Sequence, residues 1–167
     1  MNPFISPLTS LTTAKIAGRQ APHKAVLLLA VMDLVEAGVI TSPRVVLTEK
    51  LEEAFDRVWR RYVSASIIFT PKVATPFWHM QNEPFWRLCL NNGQDLAGMK
   101  ARYSVHWLRE NTYALLDPEL FSLMRDESAR AQMRVLLIST YLQDLHADTD
   151  AALSLLALLG MLINLAA

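Results

Sequence analysis

Two stretches hold most of the side chains capable of specific chemistry: Arg19, His23 and Lys24 in GRQAPHK, and His79, Gln81, Asn82 and Arg87 in TPFWHMQNEPFWR. Arginine and lysine pair with anionic groups, while the amides of Gln81 and Asn82 and the guanidinium of Arg87 offer hydrogen-bond donors, the amides acceptors as well. These types favour recognition over catalysis. The sequence has no phosphate-binding glycine loop, metalloprotease helix motif or paired-cysteine zinc spacing. Its four histidines, His23, His79, His106 and His146, are dispersed, with none at metal-ligand spacing from another His or Cys. His79, Asn82 and Asn91 share residue types with HNH nuclease motifs, but such a motif needs a further metal ligand on a following helix, and this segment reads as strand. No catalytic residue, metal or cofactor is expected.

The net charge of zero argues at first against nucleic acid, but its distribution is uneven. From Arg57 to Arg109, eight basic residues face only Glu83 and Asp95, a local balance of plus six. The first 24 residues add Lys15, Arg19 and Lys24 with no acid. A fold that brings the two stretches together would give one basic face. Equally, charges such as Arg57, Arg60 and Arg61 suit the negative end of a helix dipole without any ligand.

These side chains need elements to position them. Pro22 to Ala37 is apolar almost all round, which reads as a buried helix opened by proline and stopped by Gly38. Thr48 to Tyr62 is amphipathic, with Thr48 as N-cap and Leu51, Phe55, Val58, Trp59 and Tyr62 on one stripe. Thr75 to Leu90 alternates, and its phrases PFWHM and PFWRL predict two short strands around Gln81, Asn82 and Glu83. At least two of Phe77, Trp78, Phe85 and Trp86 must then be core. Asn111 to Leu116 reads as a further strand, and Pro118 to Arg125 and Ser128 to Tyr141 as helices. The fold class is α+β: one mainly helical domain with a small antiparallel hairpin or sheet.

At 167 residues and 52% hydrophobic content the chain can bury one good core. Cys89 alone forms no disulfide within the chain, and neither end reads as a signal peptide, so a cytoplasmic location is expected. The tail from Ala151 to Ala167 is nearly all apolar but short of the roughly 20 residues that span a bilayer. Residues 146–167 are expected to pack on the core or on a second copy, giving a homodimer, with the recognition domain in 1–145.

The phrases GRQAPHKAVLLLAVMDL, TPFWHMQNEPFWRL and LLDPELFSLMRDESARAQMRVLLISTYL, in that order, resemble the sulfur-binding domain of McrA-like type IV HNH restriction endonucleases. The resemblance covers Lys15 to Leu142. It implies recognition of phosphorothioate-modified double-stranded DNA as the reader of a restriction defence, with any nuclease in a separate HNH domain or partner. Three positions depart from the family pattern: Ala25 stands where proline is usual, Thr75 where tyrosine is common, and Pro84-Phe85 where Asp-Gly often turns the chain.

The resemblance also implies roles. Pro76 forms an apolar wall against the sulfur, with Thr75, Phe77 and His79 completing the lining. Arg19 and Lys24, beside His23, hold adjacent phosphates, and one or more of Gln81, Asn82 and Arg87 reaches base edges. Sulfur in place of a nonbridging oxygen is larger and hydrogen-bonds weakly, so an apolar cavity accepts it and leaves an ordinary phosphate oxygen unsatisfied. The other class of function these residues support is a protein-interaction module, using the apolar tail and tryptophans as contact surface.

Overall fold

In the computed structural model, which describes residues 2–63, 66, 68–94, 96, 99, 104–143 and 145, the helix α2 (His23–Glu36) forms the centre. Every residue from Lys24 to Leu34 except Asp33 is buried, which is why its sequence is apolar on all sides. Gly38 ends it as the cap requires: at φ 71 its N–H donates to Val35 O (3.1 Å) and Val39 N–H to Leu34 O (2.9 Å).

The other helices pack around α2. In α3 (Glu49–Tyr62) Leu51, Ala54, Phe55, Val58 and Trp59 turn inward, and Thr48 Oγ1 accepts from Leu51 N–H at 3.2 Å. The helices α6 (Pro118–Arg125) and α7 (Glu127–Tyr141) are each started by an aspartate. Asp117 accepts from the N–H groups of Glu119 and Leu120, and Asp126 from that of Ala129. Arg134 and Arg130 of α7 pair with Asp33 and Glu36 of α2, fixing the two helices side by side. The short helices α1 (Ile5–Thr9) and α5 (Val105–Asn111) complete the shell.

Five short strands form two antiparallel sheets among the described residues. The ribbon of β1 (Lys15–Ile16) and β2 (Arg19–Gln20) turns through Ala17 (φ 52) and Gly18 (φ 79), the two positive φ values of a tight hairpin. In the second sheet, β5 (Thr112–Leu116) lies between β3 (Arg44–Val45) and β4 (Trp86–Leu90). Trp86, Leu88 and Leu90 face the core, while Arg87 is exposed and Cys89 half-buried.

The expected hairpin across Thr75 to Leu90 is half right. PFWRL gives β4, but PFWHM folds as helix α4 (Ala74–His79), continued by a 3₁₀ turn at Met80–Asn82. The reason is burial on several sides. Ala74, Pro76, Phe77, Trp78 and Met80 are all buried, so no polar face betrays the period, and apolar runs of this length do not distinguish helix from strand. Pro76 sits in the first turn, where its missing N–H breaks no helical bond. All four aromatics, Phe77, Trp78, Phe85 and Trp86, are buried, and Phe77 meets Trp86 edge to face at 5.5 Å. The apolar tail 146–167 lies outside the described residues.

Phe77, with none of its surface exposed, has a structural role that is separable from ligand contact. Phe77→Ala is expected to lower unfolding free energy by about 3–5 kcal/mol. A urea melt showing less than about 1 kcal/mol would place that ring outside the core.

Candidate nucleic-acid interface

Three chain segments that are far apart in sequence meet at one buried carboxylate. Lys24, in the first turn of α2, is paired through Nζ with Glu83 Oε1, both side chains being about 95% buried. The same oxygen accepts the N–H of Thr12 at 2.9 Å, and the neighbouring Leu11 N–H donates to Tyr141 Oη at 2.9 Å. Ala21 N–H donates to Ala14 O at 2.8 Å, which holds the base of the ribbon closed. The N-terminal segment, the start of α2 and the α4 turn are therefore locked together.

Between them lies a cavity of about 360 Å³. Thr12, Thr13 and Ala14 form one wall, Ala21, His23 and Lys24 the second, and Thr75, Pro76, His79 and Asn82 the third. Thr13 Oγ1 is buried with no hydrogen-bond partner among the described residues. His23 packs on Trp59 (4.8 Å between ring centroids) and edge-on to Phe69, and its Nε2 lies 2.8 Å from Thr70 O. A carbonyl only accepts, so Nε2 carries the proton of the neutral ring and Nδ1 keeps its lone pair. Burial lowers the His23 pKa, opposed by the Thr70 bond and reinforced by Lys72. Burial, and then the charge of Lys24, also lower that of His79. The cavity wall thus combines alanine, proline and threonine surface with two imidazoles that favour neutrality and a lysine already matched by a carboxylate.

Of the residues read from sequence, His23, Lys24, Thr75, Pro76, His79 and Asn82 share this cavity. Gln81 is exposed on the 3₁₀ turn beside Asn82. Arg19 is on β2 and lines a neighbouring cavity of about 600 Å³ with Lys15, Gln20 and Tyr141. Phe77 points into the core, and Arg87 lies on the outer side of the second sheet. The wall from Thr12 to Ala14 escaped the sequence reading, because it is placed by long-range bonds from Glu83 and Tyr141 that no local pattern announces.

The plus-six stretch is dispersed rather than gathered on one face. Arg57 and Arg61 line a groove with Asp33, Glu36 and Arg134, and Arg109 pairs with Glu49 and Glu52. Lys72 is exposed near His23, while Lys100 and Arg102 lie outside the described residues.

Two outcomes test this geometry. Lys24→Ala leaves Glu83 buried without its cation and is expected to destabilise the fold by about 3–5 kcal/mol in urea titration. A loss under about 1 kcal/mol would mean that Glu83 is hydrated rather than locked. For His23, a folded pKa below the unfolded value of about 6.5 means that the unfolded chain binds more protons in acid. Its contribution to stability is present above that value and is lost as pH falls through the folded pKa. Unfolding midpoints between about pH 7.5 and about pH 5.5 are expected to fall more steeply for the wild type than for His23→Gln. Identical pH profiles would exclude a buried neutral His23.

Comparison with known proteins places this geometry in a family. The sequence model described as "ScoMcrA-like, DNA sulfur-binding domain" matches residues 1–161. Among solved structures, the "Sulfur binding domain of ScoMcrA complexed with phosphorothioated DNA" superposes with a TM-score of 0.60 at 19% identity, covering 84% of this chain and 88% of that one. At that identity the likeness is one of fold. No curated protein matches the chain. With the family model spanning nearly its whole length, the chain belongs to the ScoMcrA-like DNA sulfur-binding domain family.

Proposed function

We propose that the chain binds double-stranded DNA carrying a phosphorothioate linkage and seats the sulfur in the cavity against Pro76. The observation that carries this reading is the convergence of Pro76, Thr75, His23, His79 and Asn82 on one cavity of about 360 Å³ whose lysine is internally neutralised. A phosphate oxygen needs hydrogen bonds or a cation when it leaves water. The only cation in this wall is already matched by Glu83, while a sulfur atom loses less on desolvation and gains contact with the proline ring.

In this reading Lys24 differs from its expected role as a phosphate holder. Its charge faces Glu83, so it shapes the wall and polarises the site. The flanking phosphates fall to the cations outside the cavity, among them Lys15, Arg19 and Lys72. Gln81 and Asn82, on consecutive positions of the 3₁₀ turn, are the candidates for base edges. The module recognises without cutting, in a cytoplasmic restriction defence whose nuclease is a separate HNH domain or partner.

Paired binding curves on otherwise identical modified and plain duplexes test the proposal. The wild type is expected to prefer the modified duplex, with both affinities falling on a log-log salt slope of about −4 to −5, as for four to six phosphate contacts. Pro76→Ser is expected to cost about 1–3 kcal/mol on modified DNA and much less on plain DNA, with circular dichroism confirming that α4 still folds. Equal wild-type affinity for both duplexes would remove the sulfur reading. A folded Pro76→Ser protein with full preference would remove Pro76 from the wall.

A further inference from the structure

The outer face of the second sheet carries a basic surface that the cavity does not use. Arg44 of β3 and Arg87 of β4 both stand opposite Leu115 of β5, so the three side chains share one face in a cross-strand row. Two strand spacings separate the arginines, about 9.5 Å. Tyr113 and Cys89 occupy the next row of that face, and no carboxylate does. Arg44 and Arg87 are both exposed, and neither has an ion-pair partner among the described residues, whereas Arg109, Arg130 and Arg134 each pair with a carboxylate.

The row is partly pre-organised. The Arg44 guanidinium carbon lies 4.0 Å from the Tyr113 ring centroid, a stacked contact that fixes the plane and directs its N–H donors outward from the edge. Next to the row is a cavity of about 480 Å³ bordered by Pro43, Pro84 and Pro118. Asp117 at its rim caps α6 through Oδ1 and forms no ion pair with either arginine among the described residues. Pro84 is two residues from Asn82 of the sulfur cavity, a span of at most about 7 Å, so the two surfaces adjoin.

We propose that Arg44 and Arg87 form a second phosphate clamp that grips the backbone of the same duplex away from the modified linkage. The inference rests on the reading that the cavity binds DNA. Paired guanidinium groups are suited to bidentate phosphate contact, and Leu115 between them offers apolar surface to a deoxyribose. Such a clamp adds affinity that is blind to both base sequence and sulfur.

The test measures Arg44→Ala, Arg87→Ala and the double variant on modified and plain duplexes of about 20 base pairs, long enough to reach past the cavity. Each single change is expected to weaken both duplexes by the same factor, about five- to tenfold at moderate salt, and to reduce the salt slope by about 1. Lysine at either position should restore most of the slope, and the ratio of modified to plain affinity should stay at its wild-type value. A folded double variant with wild-type affinity and slope on both duplexes would overturn the clamp. If that variant instead lost binding to polyglutamate while keeping DNA, the face would belong to an acidic polypeptide. The effect is read on plain DNA as well, so failure of the sulfur preference alone would leave this test standing.

Discussion

The recognition site depends on one buried ion pair. Lys24 enters the core in the first turn of a largely apolar helix, and Glu83 meets it from the turn that follows α4. Such a pair contributes little net stability, because desolvating both groups offsets their attraction. What it contributes is position, since neither partner can leave without stranding the other. Glu83 also accepts from Thr12 N–H, so one carboxylate sets the separation of all three cavity walls. The pair has a second effect. It places a lysine at the cavity without leaving an uncompensated charge there.

That arrangement reconciles a chain of zero net charge with a polyanionic ligand. Many of its charges are consumed internally: Arg134 and Arg130 against Asp33 and Glu36, Arg109 against Glu49 and Glu52, Lys24 against Glu83. These pairs remove acids as well as bases from the surface field. The cations that matter to a ligand are those left over, such as Arg44 and Arg87 on a sheet face without carboxylates. Counting charge along the sequence located a basic stretch but could not separate structural arginines from available ones, because pairing partners such as Arg109 and Glu52 are 57 residues apart.

The elements legible in sequence were those whose ends carry local chemistry. Thr48 caps α3 and Gly38 closes α2, so these boundaries follow from single residues. The segment PFWHM has no such signal. Its helix packs on α2 and Phe77 meets Trp86 of β4, and a helix buried on several sides looks like a strand buried on both. The site was legible only in part for the same reason. His23, Pro76 and their neighbours stand in phrases of recognisable type, whereas Thr12 to Ala14 joins them through contacts across 71 and 130 residues.

Discrimination and affinity thus fall to different physical terms in different places. In the proposed seating, the cavity distinguishes sulfur from oxygen by presenting the proline ring and no uncompensated cation, an effect limited to a few kcal/mol, as for other small apolar pockets. The surrounding cations bind any duplex, and their contribution weakens as salt replaces released counterions. Exchanging a sulfur for an oxygen leaves the phosphate charge unchanged, so the preference for sulfur involves no counterion release. It follows that salt scales the affinity for both duplexes together and leaves their ratio alone. Looser charge contacts would then shorten the time spent on unmodified DNA without changing the preference of the proposed sulfur seat.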